Sequence, residues 1–293
     1  MVHVPPSYDG TKPVAAILIF HGGGGNGEAM RPLTLMDESS DKYGFLAVYP
    51  DGSGNQVLGK TFGSWNAGNC CPKASQEGVD DVGFISKLID QLKADFKIDE
   101  KRVYTTGHSN GAQISFRLAC ELSDKIAAIA PSGAQGVFDE CHPKRPVPVL
   151  YFHGTEDHCS EYKGGETGGC FDDALKKILP SQRKAYTWKV EAAPQYIESW
   201  RKRNGASERS EVIYRRGGAT CTSWGKGTEK EVVFCKIEGM GHTWPGGTYG
   251  KICERNPEGK ICKVMMETVG KLSSDISAND MMWEFFSRHP YPN

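Results

Sequence analysis

Five consecutive residues, Gly107-His108-Ser109-Asn110-Gly111, have the types and spacing for nucleophilic chemistry. A serine hydroxyl attacks a carbonyl only when a nearby base takes its proton and a carboxylate fixes the tautomer of that base. The pentapeptide follows a short branched run at residues 103–106 and precedes a helical pattern at about residues 112–121. That is the strand, sharp turn and helix setting of a G-x-S-x-G nucleophile elbow. Gly107 and Gly111 lack side chains where strand and helix must approach closely, and the serine between them is expected on a strained backbone. A turn serine flanked by glycines but without chemistry has the same local pattern, so the partner groups decide.

In a fold built on this elbow the acid and then the histidine follow the serine, each on a loop after a later strand. Asp157 and His242 fit that order. Asp157 ends the turn-rich run His153-Gly154-Thr155-Glu156-Asp157 after an apolar run at residues 147–152, with Glu156 as the competing acid. His242 follows Val232–Ile237 through Glu238-Gly239-Met240-Gly241, whose glycines let the backbone carry the imidazole over the sheet edge. The other histidines are terminal, in the wrong chain order or beside stronger candidates, and His108 is expected to support the site from behind. An oxyanion needs N–H donors, commonly the amide after the nucleophile and one from a glycine-rich loop after an early strand. Asn110 and Gly23, in His21-Gly22-Gly23-Gly24-Gly25-Asn26, are the expected oxyanion-hole donors. A phosphate-cradling role for this loop lacks the lysine and ribose-binding patterns that nucleotide sites require.

Behind these residues must stand a scaffold that brings distant segments together. The 293 residues, 38% of them hydrophobic, suffice for one large core, and no internal repeat or low-complexity linker divides them. Short branched runs read as strands at Val14–Phe20 and residues 45–49, 103–106, 126–130, 147–152 and Val232–Ile237. Helical periodicity covers residues 79–96, 112–121, 193–203 and 277–288. Apolar strands alternating with helices predict the α/β-hydrolase fold, a mostly parallel central sheet sandwiched between helices. The glycine-rich and charged stretch 158–200 reads as an insertion bordering the active site within a single catalytic domain, residues 1–293.

Lys and Arg total 35 against 36 Asp and Glu, scattered along the chain, so no charge field favours nucleic acid or anionic membranes. No apolar run approaches the ~20 residues of a membrane span. Residues 1–6 have neither the basic nor the apolar region of a secretory signal. Ten cysteines without any C-x-x-C pair argue for structural disulfides, hence secretion, and against a metal site. Short closures at Cys159/Cys170, Cys221/Cys235 and Cys253/Cys262, then Cys120/Cys141, are the economical ones, although sequence leaves connectivity open.

The loop at residues 21–26 and the motifs Ser64-Trp65-Asn66-Ala67-Gly68, Val79-Asp80-Asp81-Val82-Gly83-Phe84, Gly107 to Gly111 and His153 to Asp157 occur in one order with Gly241-His242-Thr243-Trp244-Pro245-Gly246-Gly247. Together they resemble carbohydrate esterase family 1, the feruloyl esterase and polyhydroxybutyrate depolymerase group, across nearly the whole chain. The resemblance implies a secreted esterase without cofactor, acting on feruloylated or acylated polysaccharide fragments or small aryl esters, with Ser109, Asp157 and His242 as catalytic residues. Feruloyl ester hydrolysis is the expected activity. Acetyl xylan and polyhydroxybutyrate hydrolysis are close alternatives, and acyl transfer or an inactive binding protein more distant ones. Trp65 and Trp244, beside motif residues, are expected either to wall the site against a cinnamoyl ring or to lie in the core. Adjacent Cys70 and Cys71 form a vicinal disulfide near the cleft or pair elsewhere. Relatives have a strand and a signal ahead of the segment that begins at His3, so a shorter sheet edge is expected here.

Overall fold

The computed structural model of the chain describes residues 1–57, 60–138, 140–178 and 186–292. Nine strands form one sheet: β1 (Val2–His3), β2 (Val14–Phe20), β3 (Leu46–Val48), β4 (Ile98–His108), β5 (Ala128–Ser132), β6 (Val149–Gly154), β7 (Ser210–Arg216), β8 (Ala219–Trp224) and β9 (Val232–Ile237). Their spatial order is β1-β3-β2-β4-β5-β6-β9-β8-β7. The inner neighbours from β3 to β9 pair in parallel, while β1 and the pair β8 and β7 close the two edges antiparallel.

Alternation along each strand sends side chains to two cores. From β2, Leu18 and Phe20 join the helices Asp81–Asp95, Asn110–Glu121 and Ala193–Asn204 on one face. Ile17 and Ile19 join Gly27–Thr34, Met36–Tyr43 and Ala278–Ser287 on the other. The expected sandwich is therefore present, with strands too apolar to face water because both faces are covered.

Some boundaries differ for local reasons. The run expected as a strand from residue 126 starts it at Ala128, because Lys125 and Ile126 still donate their amides to Leu122 O, closing a helical turn. The run expected from residue 147 enters β6 at Val149, after Pro146 and Pro148, which have no N–H to give a ladder. β7 and β8 carry no apolar run; β7 is a largely exposed edge strand, and β8, between β7 and β9, alternates buried with half-buried residues. Within the expected insertion the structure shows the hairpin Gly165–Gly168 with Thr187–Val190 and the helix Cys170–Ile178; residues 179–185 of that expectation lie outside the described residues.

The disulfides are Cys70–Cys71, Cys120–Cys141, Cys159–Cys170, Cys221–Cys235 and Cys253–Cys262. Cys221 and Cys235 sit directly opposite each other across β8 and β9. Among the described residues no helix is long and apolar enough to cross a membrane.

Glu231, just before β9, is a fully buried carboxylate that ties the C-terminus to this edge. Ser223 Oγ donates at 2.8 Å, the Gly227 amide at 2.9 Å and the Arg288 guanidinium at 3.1 and 3.2 Å, and His289 Nε2 lies 3.1 Å away. Burial pushes its pKa up, but the hydrogen bonds from His289, Arg288, Gly227 and Ser223 prevail and hold it down at about 2. A carboxyl bound more weakly by protons when folded stabilises fully above its unfolded value of 4.5, and that contribution is lost as pH falls toward about 2. Glu231→Gln is expected to cost about 3 kcal/mol in denaturant unfolding at pH 7 and to flatten the stability loss across that acid window.

Candidate active site

The geometry of β6 and β9 explains how residues 85 positions apart meet. They are adjacent and parallel, with Gly154 level with Ile237, so their following loops leave the sheet side by side. Thr155 N–H bonds to Ile237 O and Glu156 N–H to Met240 O, both at 3.0 Å. Gly154 and Gly241 make this approach feasible: a Cβ on either would stand 2.1 Å from a backbone oxygen, of Met240 and Val269 respectively.

His242 Nδ1 consequently lies 2.7 Å from Asp157 Oδ2, with both side chains buried. Asp157 Oδ1 accepts the amides of Cys159 at 2.9 Å and Ser160 at 2.8 Å. Burial raises the Asp157 pKa, yet His242, the neighbouring His153 and the Ser160 amide outweigh it and leave the carboxyl below its ordinary value. Such a carboxylate accepts from Nδ1–H and leaves Nε2 free to take a proton. Nε2 is buried and has no hydrogen-bond partner among the described residues. Glu156, the competing acid, is exposed and makes no such bond.

Ser109 sits at φ 58°, ψ −123°, in the left-handed half of backbone space that non-glycine residues avoid, between β4 and the helix Asn110–Glu121. The flanking glycines are sterically required: a Cβ on Gly107 would lie 2.5 Å from Gly111 O, and one on Gly111 2.1 Å from Phe20 O. No hydrogen bond joins Ser109 Oγ to His242 Nε2; such bonds are often long before substrate binds and tighten in the reacting complex. The two residues share surroundings nonetheless. Phe171 lines the same cleft as Ser109, and its ring centroid is 6.2 Å from that of His242. His108 packs its ring 4.5 Å from His242 and places Nε2 3.3 Å from His242 O. Burial, then His242, lowers its pKa to about 3, so it is a neutral support.

The glycine loop comes over the elbow. A Cβ on Gly22 would lie 3.3 Å from Ser109 Cβ, and one on Gly23 3.8 Å from Asn110 Cβ. The backbone amides of Gly23 and Asn110 have no acceptor among the described residues. Buried polar groups hold the loop in place. Gly52 N–H donates to His21 Nε2 at 2.9 Å, so Nδ1 carries the proton and donates to Gly22 O at 2.8 Å. Burial depresses the His21 pKa, in keeping with this neutral form. Trp65 Nε1 donates to His21 O at 3.0 Å, and the Asn110 side chain accepts from Trp65 N–H at 2.7 Å while donating to Trp65 O at 3.1 Å.

Of the two alternatives for Trp65 and Trp244, the wall is corrected here in favour of the core, because both are fully buried. Trp65 serves the loop just described, and Trp244 Nε1 is spent on Asn279 Oδ1 at 2.9 Å. The aromatic lining of the cleft, which has a volume of about 370 Å³, comes instead from Phe62, Phe171, Tyr186 and Trp188. These residues lie on the hairpin Ser53–Val57 with Lys60–Ser64, the helix Cys170–Ile178 and the strand Thr187–Val190 with its preceding residue. Sequence reasoning missed them since the segments are short and polar; the six aromatics within the stretch 158–200, Phe171, Tyr186 and Trp188 among them, were the available signal. Cys71 of the vicinal disulfide also lines the cleft.

A family profile described as "Esterase PHB depolymerase" matches residues 2–148. The chain belongs to this family. Feruloyl esterase B of Piromyces equi is 30% identical over 257 residues, covering 85% of this chain and 43% of that protein. A bifunctional acetylxylan esterase/xylanase of Neocallimastix patriciarum is 30% identical over 162 residues, 55% of this chain and 22% of that protein. The chain thus spans less than half the length of either relative. An acetyl xylan esterase from Aspergillus awamori, of solved structure, superposes with a TM-score of 0.57 at 15% identity over 98% of this chain and 93% of that one, which establishes a shared fold, that of the α/β-hydrolase esterases.

Gly111→Ala tests the elbow. The added Cβ meets backbone rather than a yielding side chain, so a stability loss of about 1–3 kcal/mol is expected in denaturant unfolding.

Proposed function

We propose that this chain is a secreted serine carboxylic ester hydrolase acting on plant cell-wall polysaccharide, with feruloyl and related hydroxycinnamoyl esters as its preferred substrates. One observation carries the reading: the buried Asp157–His242 pair leaves His242 Nε2 without a partner among the described residues, and Phe171, whose ring neighbours that of His242, lines one cleft with Ser109 on its strained turn. Ser109 Oγ attacks the ester carbonyl carbon as His242 Nε2 takes its proton, and the Gly23 and Asn110 amides receive the oxyanion. The imidazolium then protonates the departing alkoxide. A water deprotonated by His242 attacks the acyl-enzyme, and collapse of that second intermediate releases the acid and restores the serine. Asp157 stays ionised throughout, which its lowered pKa favours.

The aromatic acyl preference is supported by the rings of Phe62, Phe171, Tyr186 and Trp188 around the cleft. Similarity to a protein named feruloyl esterase points the same way. An acetyl xylan activity is the second reading, favoured by the similarity to a protein named for it. Residues 1–293 are read as one catalytic domain, with the stretch 158–200 as an insertion that shapes the cleft. Five disulfides favour an oxidising compartment and so secretion.

Ser109→Ala is expected to lower turnover of methyl ferulate by roughly 10⁵-fold with unfolding unchanged; turnover within tenfold of wild type would end the assignment. Asp157→Asn should lose on the order of 10⁴-fold and Glu156→Gln almost nothing, and the reverse ranking would move the acid. For substrate class, Trp188→Ala should raise KM for methyl ferulate roughly three- to tenfold while leaving an aryl acetate unaffected. Rates on methyl ferulate, acetylated xylan and a hydroxybutyrate oligomer, compared on one preparation, decide between the readings.

A further inference from the structure

A second groove, with a volume of about 400 Å³, lies on the far side of Phe62 from the catalytic cleft, and Phe62 lines both. We propose that this groove binds the polysaccharide chain that carries the ester, at a sugar residue bearing a carboxylate; the inference rests on the reading of the cleft as an ester-hydrolysing site. Three features select that occupant.

The first is continuity. Phe62, about half exposed, is held by a hairpin bonded to the oxyanion loop through Gly24 N–H to Gly63 O at 2.8 Å and Gly63 N–H to Gly25 O at 2.9 Å. A molecule spanning Phe62 therefore has its ester end in the cleft and its remainder in the groove. The second is the floor. Pro32, Leu33 and Met265 give it an apolar surface beside the Tyr249 ring, suited to the C–H face of a pyranose. Tyr249 Oη is fixed by donating to Gly270 O at 3.0 Å.

The third is charge. Lys251 and Arg255, both exposed, line the groove and form no ion pair among the described residues. They project from the helix Lys251–Arg255, which Cys253–Cys262 ties to the neighbouring helix Lys260–Val269, so the cationic wall is anchored. Glu28, the acid on the lining, is half-buried and already partnered. An apolar peptide or lipid would leave both free cations without an anion, whereas a uronic acid carboxylate pairs with them, Arg255 offering a bidentate fork.

The test is the double variant Lys251→Gln/Arg255→Gln in the full chain. Its kcat/KM for methyl ferulate and for a neutral feruloylated arabinoxylan oligosaccharide should equal wild type. For a feruloylated oligogalacturonide it should fall roughly five- to tenfold through KM, and the difference should vanish in high salt. Loss on all three substrates alike, or on none, overturns the proposal. A second readout needs no ester cleavage: calorimetric binding of unesterified oligogalacturonide to Ser109→Ala, present with native Lys251 and Arg255 and lost in the triple variant. Binding there without ferulate turnover by wild type would retain the groove and reject the feruloyl reading; no binding there rejects the groove.

Discussion

A charge held in the interior organises this molecule. The Asp157 carboxylate has lost its water, and an isolated ion in that position would neutralise itself by taking a proton. Two backbone amides and one imidazole N–H replace the lost hydration, and they come from different segments: the turn after β6 and the loop after β9. The carboxylate stays ionised only while those loops remain side by side. Parallel pairing of β6 with β9, and the glycines that let the loops touch, are thus conditions for the ionisation state as much as for the shape.

Around that pair, the protein repeatedly uses buried polar groups to position backbone. His153 is an instance: its Nε2 donates to Ser160 O at 2.8 Å, its Nδ1 accepts the Tyr151 hydroxyl, and Nε2 lies 3.6 Å from Asp157 Oδ2. Burial lowers its pKa, so it acts as a neutral spacer between Asp157 and the interior. His21 does the same for the glycine loop, and the Asn110 side chain mimics a peptide unit opposite Trp65. Satisfied networks of this kind fix one arrangement, since any displacement leaves a buried donor or acceptor unpaired. The cost of the strained Ser109 backbone is borne by this framework.

Legibility in the sequence followed burial. The bounds of β2 and β9 are legible to the residue, for a strand covered on both faces is an apolar run, broken in β9 only by Lys236. The elbow could be read because its glycines answer a steric demand, and chain order narrowed the acid and the imidazole to single loops. β7 and β8 carry no apolar run to read: the edge strand Ser210–Arg216 buries none of its residues, and β8 buries the small residues Ala219, Cys221 and Ser223 in alternation. For Trp65 and Trp244 the sequence leaves wall and core open, because adjacency to a motif says nothing about which side of the backbone a ring takes. The cleft aromatics were invisible for the complementary reason, sitting on short segments whose periods are too brief to declare a face.

The two kinds of segment are stabilised by different means. The inner strands and the helix Asn110–Glu121 are held by burial, with Phe116 packed on Tyr151, Tyr196 and Trp200 at ring distances of 4.9–5.5 Å. The cleft walls have little to bury: Phe62 and Phe171 remain about half exposed. Here cross-links substitute for core. Cys159–Cys170 closes a separation of 11 residues, tying the amide that binds Asp157 to the residue preceding Phe171, and a loop of that size is worth roughly 3 kcal/mol in lost unfolded-state freedom. That link joins the hydrogen-bond shell of the Asp157 carboxylate to the cleft wall that carries Phe171. A wall ordered in this way can change its side chains without disturbing the sheet, because its stability does not depend on the contacts those side chains make.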